Sequence, residues 1–338
     1  MKYSVIFLLF SAIGYAQESP KYLFNDLYFA DPSVHVFNKK IYIYPSHDIK
    51  TEVIDPANGG HYDMKDYHVL SLDNMQQEKA KDLGIALKLG DIPWAEKQLW
   101  APDCVEKNGK YYLYFPAKDK EGNFKIGVAV SNQPEGPFKS EKNPIKGSYS
   151  IDPAVLADND KYYIYFGGLK GGQLEKYRNN KLLADSKEPN KEENALSPKI
   201  ALLSKNMLEF AEEPKDIQIL DEKGNLLKAG DHDRRFFEGV WIHKYNSKYY
   251  LSYSTGDTHK IVYAIGSTPY GPFTFQGEIL SPVVGWTTHH SIVEIDNKWY
   301  LFYHDSQPSG GQNNLRSIKV RELFYDKNGL IKAMNGKD

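Results

Sequence analysis

The chain of 338 residues has a single cysteine, Cys104, so no internal disulfide can form and stability must come from packing. Long apolar runs are equally scarce. The run from Val5 to Ile13 is too short to cross a bilayer as a helix. It follows Lys2 and precedes Gly14-Tyr15-Ala16, whose small residues fit cleavage before Gln17. Residues 1–16 therefore read as a cleaved signal peptide, with residues 17–338 as one domain exported to the periplasm or secreted. No cysteine follows the run to carry a lipid. Neither sign of charge dominates: 42 Lys and Arg stand against 44 Asp and Glu, a net charge of -2. That balance gives no footprint for nucleic acid or for an anionic membrane.

Aromatic residues are abundant at 14%, with 25 Tyr, 16 Phe and 5 Trp, as suits stacked β-sheets. Many of them fall in a 14-residue frame that occurs five times: DPSVHVFNKKIYIY from Asp31, APDCVEKNGKYYLY from Ala101, DPAVLADNDKYYIY from Asp152, GVWIHKYNSKYYLS from Gly239 and HHSIVEIDNKWYLF from His289. The frames align without gaps, and their starts lie 70, 51, 87 and 50 residues apart. Self-similarity at this kind of period marks a repeat architecture. Within each frame two apolar or aromatic stretches flank a corner of Asn, Asp, Gly or Lys, the pattern of a β-hairpin.

The segments between frames echo one another too. NFKIGVAVSNQPEGPF from Asn123 nearly repeats HKIVYAIGSTPYGPF from His259, and DYHVLSLDNM and KIALLSKNML are shorter versions. Each fits a third strand followed by a turn into a fourth. The predicted fold is therefore all-β, a five-bladed β-propeller closed around a central channel, with Cys104 as a small buried side chain in a strand. The polar stretch of about twenty residues from Glu175 reads as a solvent-facing excursion of the third blade, able to shape the mouth of the channel.

In a propeller the first strand of every blade lines the channel, so the first positions of the frames meet in space. These are Asp31, Ala101, Asp152, Gly239 preceded by Glu238, and His289. Asp before Pro often does no more than open a turn. Three carboxylates in register behind a uniform hairpin point instead to a site built at one end of the channel. Paired carboxylates suit glycosidic bond cleavage, where one protonates the departing oxygen and the other activates water.

The motifs ADPSV, LWAPD, SIDPAV, FEGVW and THHSIVE followed by WYLFYHD, in that order over roughly residues 22 to 336, resemble glycoside hydrolase family 43. The resemblance implies an inverting hydrolase of pentose-containing plant polysaccharides. It assigns Asp31 as general base, Glu238 as general acid and Asp152 as the residue that orients the acid and raises its pKa. In an inverting enzyme the base and acid stand about 6.5 to 9.5 Å apart to admit water. One departure is Val240, where the family commonly has Pro two residues after the acid. A local change of turn is expected, with the acid kept.

The resemblance also places His289 in the channel, where its equivalent often binds a cation, usually calcium, with waters completing the shell. Calcium prefers oxygen ligands, so a histidine satisfied by polar neighbours in the channel is the alternative reading. Frame alignment favours His289 over His290 for this position. Trp100, just ahead of the second frame, is expected to stack on a sugar ring or to fill the core between blades. By resemblance Arg316 hydrogen-bonds the ring hydroxyls at the scissile bond. His47, Phe166 and Trp286 are further candidates for the pocket wall. The expected activity is exo-acting release of xylose or arabinofuranose from hemicellulose fragments, as a β-xylosidase or α-L-arabinofuranosidase. An endo-acting arabinanase or xylanase on the same scaffold, a retaining furanosidase and a propeller that binds sugar without cutting it are the alternatives.

Overall fold

The structure, a computed structural model, describes residues 19–52, 59–286 and 289–338; the expected signal peptide lies outside the described residues. Among the described residues there is no α-helix, and none that is long and apolar enough to cross a membrane.

The five frames fold as hairpins, and the corner chemistry is the reason. Two consecutive residues with positive φ form each corner: Asn38-Lys39, Asn108-Gly109, Asn159-Asp160, Asn246-Ser247 and Asp296-Asn297. Positive φ at both central positions is the two-residue turn whose twist matches the flanking strands, and Asn, Asp and Gly tolerate it best. The hairpins are Tyr28–Phe37 with Lys40–Asp48, Asp103–Lys107 with Lys110–Lys118, Ala154–Asp158 with Lys161–Phe166, Glu238–Tyr245 with Lys248–Ser254, and His290–Ile295 with Lys298–Asp305.

Each hairpin gains outer strands and becomes one blade of a five-bladed propeller. The expected third strands appear as Asp66–Leu72, Phe124–Ser131, Lys199–Leu202 and Ile261–Gly266. The fifth blade is completed across the chain: Ser317–Leu323 is its third strand, and Lys21–Tyr22, from the other end of the sequence, pairs beside it as the fourth. The first strands of successive blades contact one another, and the fifth contacts the first, which closes the ring.

The tyrosine that ends the first three frames rivets blades together. Tyr44, Tyr114 and Tyr165 are buried, and each donates a hydrogen bond to a carbonyl in the turn after the third strand of the next blade: Pro134 at 2.7 Å, Met207 at 2.8 Å and Pro269 at 2.8 Å. A buried hydroxyl without a partner would cost roughly 1–3 kcal/mol, so this residue fixes how adjacent blades meet as well as filling space. In the fourth frame Ser252 takes that place and bonds His290 of the fifth blade at 2.6 Å. Cys104 is fully buried in its strand. The excursion from Glu175 leaves the third blade between its second and third strands and carries only the short pair Tyr177–Arg178 and Lys181–Leu182.

Candidate active site

The first positions of the frames converge. A cavity of about 430 Å³ at one end of the channel is lined by Asp31, Asp152, Glu238, His289, Trp100, Trp286 and Arg316 together. A volume of this size is ordinary for a small-ligand pocket.

Local backbone irregularities aim these side chains. The strand pairing skips between Ala30 and Ser33 and again between Glu238 and Trp241. Such bulges turn a side chain out of the regular alternation, and they recur beside active sites. Asp31, Asp152 and Gly239 all have positive φ, at 51°, 58° and 67°. For Asp this is an uncommon conformation that the surrounding structure must impose. Gly239 has a second reason to be glycine, since a Cβ there would stand 3.2 Å from the His289 ring.

Asp31 is buried in a cationic setting. Its carboxylate accepts hydrogen bonds from Ser46 Oγ at 2.6 Å and from an Arg316 terminal nitrogen at 2.9 Å, with His289 Nδ1 at 3.6 Å. Its backbone N–H donates to His304 Nδ1 at 3.0 Å, which places the acceptor of that ring on Nδ1. Burial alone would raise the Asp31 carboxyl, but Arg316 and His289 outweigh it and hold the group well below the usual carboxylate range. Arg316 is fixed in turn by Asp48, which accepts from its Nε, its second terminal nitrogen and its backbone N–H at 2.8, 2.8 and 2.9 Å. The Tyr62 ring lies 5.0 Å from the guanidinium.

Glu238 has the opposite surroundings. Burial, then the negative charge of Asp152, push its carboxyl up to about 8. Asp152 is itself raised to about 6, chiefly by burial, and accepts a hydrogen bond from the Gly239 N–H at 2.9 Å. Burial would depress His289, yet Asp152, Asp31 and Glu238 together raise it, so this imidazole holds its proton more firmly than a free one. Near neutral pH one carboxyl of the pocket is thus ionised and another protonated.

Trp100 is packed in the interior and also lines the cavity. It is nearly buried, its ring lies 4.6 Å from Phe124 and its Nε1 donates to the Tyr62 carbonyl at 2.8 Å, while one face lines the cavity. Gly171 and Gly59 let backbone approach that ring, where added Cβ atoms would lie 3.3 and 2.6 Å from it. His290 is buried against Ser252 and does not line the cavity.

Two pocket-wall candidates lie elsewhere. Phe166 is fully buried in the core, stacked on Phe210, because its strand position faces the packing between blades. His47 points away from the cavity and bonds Asp66 at 2.6 Å, since it alternates with Asp48 along the strand. The pocket also has lining residues that the frames did not single out: Tyr62, Phe237, Lys170 and Asn313. Phe237 and Asn313 sit in segments already conspicuous for Glu238 and Arg316. Asp48 and Tyr62 carry no motif, and only the fold brings them to Arg316.

A closed five-bladed propeller with one ionised and one protonated carboxyl facing a common pocket is the framework of a carbohydrate-cleaving acid–base hydrolase. Comparison with known proteins agrees. The family model for glycosyl hydrolases family 43 matches residues 26–331. A protein of Bacteroides ovatus named xylosidase/arabinosidase is 60% identical over 319 residues, 94% of this chain and 98% of that one. The solved structure of the RS223 β-xylosidase superposes with a TM-score of 0.93 at 58% identity, covering 95% of this chain and 99% of that chain. A β-xylosidase/α-arabinofuranosidase from a compost microbial metagenome, solved with xylotriose in a calcium-free form, gives 0.92 at 57% identity, covering 95% and 98%. The chain belongs to glycosyl hydrolases family 43 and is a glycosidase.

Proposed function

We propose that this glycosidase is an exo-acting, inverting β-xylosidase/α-L-arabinofuranosidase that releases xylose or arabinofuranose from the ends of hemicellulose fragments. Relatives of similar length named for both activities support the pairing. The observation that carries the mechanism is the opposite surroundings of Asp31 and Glu238 in one pocket, the first held by Arg316 and Ser46 and the second buried beside Asp152. Asp31, ionised, takes the proton of a water that attacks the anomeric carbon. Glu238, protonated, gives its proton to the departing glycosidic oxygen, and Asp152 keeps that proton in place by like-charge repulsion. Arg316 spans Asp48 and Asp31, so it holds the base while presenting cationic N–H groups to sugar hydroxyls. Trp100 supplies a flat apolar wall.

The deciding experiment follows xylobiose and an arabinofuranosyl oligosaccharide by proton NMR, with Asp31→Asn and Glu238→Gln beside the parent. Inversion of the first-formed anomer, lost in both variants, is expected. Net retention would remove the water-activating role of Asp31.

Calcium in the channel would rest on His289 as its side-chain ligand. Asp31 is already engaged by Arg316 and Ser46, and an imidazole offers nitrogen where calcium takes oxygen, so the described residues fit calcium poorly and no step is routed through it. Activity indifferent to a calcium-selective chelator is the expected result. Export follows from the signal-like first 16 residues, and a mature protein beginning at Gln17 in the periplasm or medium, read by mass spectrometry, tests it.

A further inference from the structure

The first blade carries a second constellation of chemically active side chains, outside the pocket. His47 Nδ1 lies 2.6 Å from Asp66 Oδ1, and His68 Nε2 lies 3.8 Å from the same oxygen. One ligand atom from each of these three residues falls within 4.8 Å of the other two. The side chains are largely shielded, at 12%, 23% and 10% exposure, and Phe29 packs against both imidazoles at 5.2 and 5.4 Å. None of the three lines the catalytic cavity.

The partner of the remaining His68 nitrogen is informative. Asp82 lies 2.9 and 3.0 Å from His68 Nδ1 through its two oxygens, and is itself held by the Gly84 N–H at 2.8 Å. A carboxylate that receives the Nδ1 proton leaves the Nε2 lone pair facing His47 and Asp66. This carboxylate–imidazole relay is how protein metal sites orient and strengthen a histidine ligand. Two neutral imidazoles and a carboxylate suit zinc and neighbouring divalent transition ions, and are too nitrogen-rich for calcium or magnesium. The charges also match, since Asp66 and Asp82 together neutralise a divalent ion.

We propose that His47, Asp66 and His68, backed by Asp82, form a site for a divalent transition-metal ion of the zinc class, distinct from the channel around His289. Zinc bonds of about 2.0–2.2 Å place tetrahedral ligand atoms roughly 3.4 Å apart. His47 and Asp66 therefore open by about 0.8 Å as the ion replaces their shared proton, and His68 closes by about half that, with water in the fourth position. The ion ties Lys40–Asp48 to Asp66–Leu72 at the strand end where His47 precedes Asp48. Its role is to brace the first blade next to the residue that holds Arg316.

The test is titration of the full chain with zinc chloride, calorimetrically and by thermal unfolding, with calcium chloride as comparator. One zinc per chain with micromolar or tighter affinity is expected, raising the melting temperature by on the order of 3 to 6 °C at a hundredfold excess over Kd. His68→Ala and His47→Ala should each weaken binding at least a hundredfold, Asp82→Asn by about ten- to a hundredfold, and His289→Ala not at all. Using both histidine variants, each checked for folding without metal, keeps the test valid if one misfolds. Zinc binding weaker than about 100 µM, binding that survives His47→Ala and His68→Ala, or binding lost in His289→Ala would each overturn the proposal.

Discussion

Replacing Asp152 by Asn isolates the device that keeps Glu238 protonated. Glu238 moves from an ordinary value of 4.5 to about 8, which at 1.36 kcal/mol per pH unit is roughly 5 kcal/mol in favour of the acid form. Burial is the larger cause and the charge of Asp152 the next, so the substitution removes part of the effect. Asn retains an oxygen to accept the Gly239 N–H, which preserves the local turn. The alkaline limb of kcat/KM should move down by about one to two pH units and stay above 4.5, because the burial remains. The assay is kcat/KM on xylobiose, whose sugar leaving group needs protonation, from pH 4 to 10 for parent and variant. An alkaline limb that stays in place or moves upward would refute the electrostatic coupling of the two carboxyls.

Glu238→Gln should cost about a thousandfold or more on xylobiose and far less on nitrophenyl xyloside, whose phenolate departs without a proton; equal losses in the two assays would contradict the acid role. The same variant should unfold later than the parent. A raised folded pKa means that the folded state holds a proton the unfolded state has lost, so the parent loses stability as pH rises from about 4.5 to about 8, and the gain, on the order of a few kcal/mol by denaturant titration, should grow over that window. Arg316→Lys replaces a fork that contacts Asp48 and Asp31 with a point charge, and should lower kcat/KM on the order of a hundredfold while the protein stays folded by circular dichroism. Gly239→Ala meets both positive φ and the His289 ring, so a loss of about 1–3 kcal/mol in stability together with reduced kcat is expected from unfolding and steady-state kinetics.

The hairpins were legible because each is specified locally. The paired corner residues demand one turn type, and the aromatic strand behind them is almost continuously buried. The three acids were legible because the repeat holds everything constant except the position that faces the channel. Asp48 and Tyr62 were not, since their importance arises only when the last blade swings Arg316 beside the first. The same limit explains the misplaced wall residues. His47 and Phe166 lie near the right strand ends, but side-chain direction changes with every residue, and the bulges at Asp31 and Glu238 shift that alternation where it matters.

The protonation pattern has its origin in the order of the blades. The cations that keep Asp31 ionised, Arg316 and His289, come from the fifth blade or the segments joined to it, which neighbours the first only because the ring closes. The anion that keeps Glu238 protonated is Asp152 at the start of the third blade, which neighbours the fourth in sequence order. Base and acid therefore draw their opposite states from opposite sides of the ring. Lys21–Tyr22 completes the fifth blade, and Tyr22 also donates to Asp305, at the end of the strand that carries His304, at 2.9 Å. Opening the seam between the fifth and first blades would separate Asp31 from its cations and leave Glu238 with Asp152. On the proposed mechanism it would remove the base before it disturbed the acid, so the strand that closes the ring would bear on the activation of water.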